Sequence, residues 1–188
     1  MAETTYNSLV AELLADPPLN ALGAGQPEPA KRSLLEQLSA ESLVAPRVPR
    51  DRDAAAGCCA GLWLRYDFLE EAHRISQDIA TTDGSYWHAI MHRREPDFSH
   101  AKQWFLRVGQ HPVFSALVVE AAKLTKPHAT DVAIAFLTNQ DDWDPMRFVD
   151  LCESAIGRGG EIEMLCREIQ RREWDLLFDF CYRKAAAV

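Results

Sequence analysis

The sequence predicts an all-α protein, a compact multi-helix bundle of about eight to nine helices. Three observations carry that expectation. Apolar residues recur at three- and four-residue spacing along most of the chain, and the breaks between periodic stretches hold capping and stop residues. The only β-branched run, "VAIAFL" at residues 132–137, could supply one strand, and one isolated strand cannot make a sheet.

The elements follow in order. Thr5 can cap a first helix carrying Leu9, Val10, Leu13 and Leu14, which Pro17 and Pro18 stop. The segment "LNALGAGQPEP" reads as a linker, and a short helix with Leu34, Leu35 and Leu38 follows before "APRVPRDRD" breaks the periodicity. Residues 1–52 therefore read as a helical arm packed on a main helical domain, 53–188, within one domain overall. From residue 53 a long helix is expected to about residue 80, striped by Leu64, Phe68, Ala72, Ile75 and Ile79. Further helices are expected over 85–94, 99–108, 112–124, 129–139, 145–156 and 161–182. Asp144 before Pro145 is a capping carboxylate ahead of a proline at the first helical position, and the glycines of "GRGG" suit the junction before the last helix.

That last helix bears on assembly. Leu165, Ile169, Leu176, Leu177 and Phe180 form its stripe, while Trp174, Phe178, Cys181 and Tyr182 make its final turns apolar almost all round. A central place in a monomer is the favoured reading; the alternative is a homodimer formed through this helix. Glu163 with Arg167, and Glu168 with Arg172, have the spacing of helical ion pairs.

A formal charge of -8 and a pI near 5.2 argue against nucleic acid and anionic membranes as partners, since both kinds of binding begin with a basic surface. The start, "MAETTYNSLV", lacks the basic and apolar regions of a secretory signal, and no stretch approaches the roughly 20 apolar residues of a membrane span, so a cytoplasmic location is expected. The five cysteines show no Cys-x-x-Cys or finger-like spacing and read as reduced core residues.

The stretch "YWHAIMHRREPDFSHAKQWFLRVGQHP" concentrates four of the six histidines, two of the five tryptophans and four basic residues in 27 positions. Trp87, Ile90, Met91 and Arg94 share one helix face, and Ala101, Phe105 and Val108 share the next, followed by Pro112. Residues 86–112 thus locally resemble one tetratricopeptide-like helical hairpin, with Trp87, Ala101 and Phe105 as its core. The wider block 83–114 resembles a signature of an uncharacterised family of small bacterial and fungal proteins, a resemblance that implies no activity and no catalytic residue.

Two chemistries suit this region. His88, His92 and Glu95 emerge within an arc of about 60° on a helix, and two histidines four apart with a carboxylate can chelate a divalent ion. Glu70 and His73 add a Glu-x-x-His pair on the preceding helix, completing a set for one zinc, iron or manganese ion. Pro96 disfavours helical geometry at Glu95, and no His-Glu-x-x-His motif occurs, which argues against a zinc peptidase. The second chemistry uses positive charge: Tyr86, Trp87, Arg93, Arg94, Lys102, Trp104, Arg107 and His111 could bind a small anionic ligand by bidentate pairing and stacking. Asp142 and Asp144 lack the rest of a calcium loop, Ser85 reads as a helix start, and no Walker or dinucleotide glycine motif occurs. The sequence therefore favours non-catalytic recognition of a protein partner or small anionic ligand by region 83–114, with a metal-dependent enzyme as the alternative.

Overall fold

The computed structural model describes residues 6–126 and 132–187. Among the described residues it is all-α, with no strand: α1 Ser8–Leu14, α2 Arg32–Leu35, α3 Ala40–Val44, α4 Arg52–Arg65, α5 Leu69–Ser76, α6 Thr82–Arg94, α7 Phe98–Val108, α8 Val113–Thr125, α9 Pro145–Ala155 and α10 Gly160–Ala186. No helix among these residues is long and apolar enough to cross a membrane.

The arm is held by its caps as much as by its leucines. Thr5 lies outside the described residues; Asn7 caps α1, accepting from the Val10 amide at 3.0 Å. The Asn7 amide also donates to the carbonyls of Ser42 and Leu43 at 2.7 and 3.0 Å, fastening α1 to α3. Helix α3 was not expected from periodicity, because its signal is a reciprocal Ser39–Ser42 capping box rather than an apolar stripe. Val10, Leu13, Leu22, Leu35 and Leu43 are buried in the same core as the later helices.

The expected helix over 53–80 is broken in two. Asp67 has φ +63°, a left-handed conformation that costs an L-residue energy and ends α4, and Phe68 then starts α5. Long-range contacts hold the break: Arg94 pairs with the Asp67 carboxylate, and Asn20 donates to it at 3.3 Å. Elsewhere the caps move. Thr81, not Ser85, caps α6, and the described part of 129–139 is a turn and a short 3-10 segment, Ala135–Thr138. Asp144 caps α9 as expected, accepting from the Met146 and Arg147 amides. The expected ion pairs within α10 are absent among the described contacts: Glu163 accepts from the Gly159 amide, and Arg167 donates to the carbonyls of Leu19 and Asn20.

Small residues let α4 approach α6 closely. The Trp87 ring lies over Gly57 and Gly61, and a Cβ at Gly61 would stand 2.6 Å from the ring. The Trp174 indole donates to the Gly61 carbonyl at 2.8 Å, so α10 closes on the same place. Gly61→Ala is therefore expected to destabilise the fold by about 1–3 kcal/mol through overpacking, read as a lowered midpoint in denaturant melts.

Two helices form the centre. In α10, Trp174, Phe178 and Tyr182 are buried within the chain, with Trp174 stacked on Phe178 at 4.7 Å between ring centroids. In α6, every residue from Asp83 to Arg94 is buried. A helix buried all round is ordinarily apolar, yet this one carries Asp83, His88, His92, Arg93 and Arg94. Each needs a partner inside the protein, and those partners set the chemistry of the fold.

Candidate metal centre

Helix α5 packs beside α6, and the break at Asp67 is what turns it there. Three histidines meet across this contact: a ligand atom from each of His73, His88 and His92 lies within 4.8 Å of the others. His88 and His92 are four apart on α6, one turn along the same face, and their Nε2 atoms stand 3.0 Å apart. His73 comes from α5.

The second nitrogen of each ring faces an oxygen. Ser76 Oγ donates to the His73 carbonyl at 3.2 Å, so it accepts from His88 Nδ1–H at 3.2 Å and leaves His88 Nε2 with its lone pair. His73 Nδ1 donates to Glu95 Oε1 at 3.4 Å, which leaves Nε2 as its basic nitrogen. His92 Nδ1 is buried without a hydrogen-bond partner, 3.7 Å from one oxygen each of Glu95 and Asp97. Without a cation, His92 has no satisfactory tautomer. A proton on Nδ1 sets two bare Nε2 atoms against each other, and a proton on Nε2 turns a bare Nδ1 toward two carboxylates. An ion between the imidazoles resolves both conflicts at once.

The electrostatics agree. Burial, reinforced by the neighbouring histidines, pushes His88 and His92 down to about 4, so both are neutral and able to ligate at neutral pH. The cluster sits in the last turns of α6, where the helix dipole favours positive charge. One side is walled by Trp104, whose ring is 4.2 Å from His88 between centroids. The other side opens to solvent past His73 and Glu95, whose side chains are 33% and 30% exposed.

The remaining expected ligands divide. Glu95 caps the end of α6 and stays beside His73 and His92, outside the inner three but touching two of them through their Nδ1 atoms. Glu70 is exposed and outside the cluster. Three contributors were not anticipated from the sequence: Ser76, Asp97 and His100, whose Nδ1 is 2.7 Å from Asp97 and whose ring lies 5.4 Å from that of His92. The three-residue spacings of His73 with Ser76 and of Asp97 with His100 were the available signals.

The residues expected to bind an anion do not share a face. Tyr86, Trp87, Arg93, Arg94 and His111 are buried and engaged internally. Tyr86 donates to Glu173 at 3.0 Å, Arg93 pairs with the same carboxylate, and His111 Nε2 donates to Asp83 at 3.0 Å while its Nδ1 accepts from the Val113 amide. Lys102 pairs with Asp150, and Arg107 covers Trp104 at 4.2 Å. Trp87, Ala101 and Phe105 are core. Comparison with protein-family models, curated proteins and solved structures gave no match, so the reading of the site rests on its geometry.

Proposed function

We propose that this protein is a metalloprotein in which His73, His88 and His92 hold one divalent ion, zinc foremost, with iron or manganese as alternatives if Glu95 turns inward as a carboxylate ligand. The observation that carries the reading is the convergence of three histidines whose outer nitrogens face Ser76, Glu95 and Asp97. Metal analysis of protein purified without chelator is expected to find one ion per chain, lost in the His88→Ala, His92→Ala double variant. Near-zero metal in both, with no uptake of zinc, iron or manganese, would falsify the proposal.

The open side favours activation of water over a purely structural ion. Structural zinc sites close with four protein ligands, whereas three histidines leave a fourth position for water. Glu95, which accepts from the outer nitrogen of His73, orients that ring and raises its basicity toward the ion. Glu95→Gln is then expected to weaken metal binding by roughly 10–100-fold, read by competition with a chelator.

A further inference from the structure

A recess on the far side of α6 gathers four arginines from three helices. Arg65 ends α4, Arg94 ends α6, and Arg167 and Arg171 lie one turn apart on α10; Pro18, Asn20, Gln170 and Trp174 complete the lining. The recess is narrow, with room for about one small group. In a chain of net charge -8 this is an unusual concentration of positive charge.

Internal pairing neutralises only part of it. Arg65 meets Asp175 at 3.2 Å and Arg94 pairs with Asp67, which leaves two of the four guanidiniums without a carboxylate among the described residues. Arg167 spends its Nε and one terminal nitrogen on the neutral carbonyls of Asn20 and Leu19 and turns the other toward Met164 Sδ at 3.5 Å, and no hydrogen bond or ion pair of Arg171 is found among the described residues. Arg65 Nε is buried with no partner, although its guanidinium is fixed 4.0 Å over the Trp174 ring. Burial pulls both Arg65 and Arg94 below the ordinary arginine value, and their carboxylates offset only part of that pull. Assembling fixed, partly desolvated guanidiniums around an open volume is costly unless a negative group completes it.

We infer that Arg65, Arg94, Arg167 and Arg171 form a binding pocket for a dianionic tetrahedral oxyanion, phosphate or the phosphate group of a small ester. The surplus of two positive charges matches a dianion, and guanidiniums donate in pairs to oxyanion edges. The site is separate from the histidine cluster and needs no metal.

The test is calorimetric titration with inorganic phosphate, glycerol phosphate and chloride at matched ionic strength, on the whole chain and on Arg171→Ala. Arg171 makes no hydrogen bond or ion pair among the described residues, so the variant should fold, and its melting temperature without ligand checks this. Saturable binding of phosphate or the ester, weakened about tenfold or more in Arg171→Ala, is expected. Tighter binding of the ester would identify the anion as part of a larger ligand, and tighter binding of phosphate would identify the free ion. Chloride matching both, or equal affinity in Arg171→Ala, overturns the assignment. Should Arg171→Ala melt early, Arg171→Lys, which loses the paired donors, replaces it as the comparison, and unchanged affinity there, or no saturation by phosphate in the parent chain, is equally fatal.

Discussion

Arg93→Met is expected to lower the unfolding free energy by about 3–5 kcal/mol in denaturant melts, the cost of stranding the buried Glu173 carboxylate. Arg93 and Glu173 are both fully buried and pair with each other, and Tyr86 donates to the same carboxylate. Methionine matches the length of arginine's stem but leaves Glu173 with only the Tyr86 hydroxyl. The pair is not well served even intact. Arg93 Nε and one terminal nitrogen have no partner, and the guanidinium otherwise rests on the Phe148 ring at 4.9 Å. Adding Glu173→Leu to Arg93→Met should therefore recover much of the loss, since well-packed apolar replacements of a buried pair are often neutral or stabilising. Additive losses in the double variant would show that packing, not the stranded charge, dominates.

The second large effect is acid destabilisation of the metal-free protein. The unfolded chain binds protons on His88 and His92 from about pH 6.5 downward, whereas the folded chain holds both neutral until about pH 4. Acid thus favours unfolding across that window. The stability these neutral histidines contribute is complete above about pH 6.5 and falls as pH drops, by up to about 1.4 kcal/mol per pH unit for each histidine. Melts of the parent chain and a His88→Leu, His92→Leu variant over this range should diverge in slope; parallel slopes would place both histidines in contact with water. An ion at a hundred times its Kd should add about 2.7 kcal/mol at neutral pH and steepen the acid loss, because protons compete for the same nitrogens.

The histidine pair on α6 was legible because both ligands lie on one helix, where spacing fixes direction. His73 was legible only as a neighbour, and its Glu-x-x-His partner Glu70 faces solvent, while Glu95 orients the His73 ring and Ser76, three residues the other way, orients His88. The arginines of region 83–114 read as an exposed patch because their partners are remote: Glu173 is 80 residues from Arg93 and Asp67 is 27 from Arg94. The same distance hides the arginine recess, which no local window can contain. The break at Asp67 was equally silent, since the stripe of Leu64, Phe68 and Ala72 runs through it and the contacts that hold the left-handed residue come from Asn20 and Arg94.

The placement of one histidine apart from the other two has a topological consequence. His88 and His92 share a rigid helix, so an ion held by them alone would constrain nothing beyond α6. With His73 it becomes a cross-link between α5 and α6, closing the segment 73–88 into a ring much as a disulfide would. Helix α5 has only eight residues, too few to persist in isolation. Bound metal would hold that short helix in place, and its release would free α5 to exchange amide hydrogens ahead of the rest of the core.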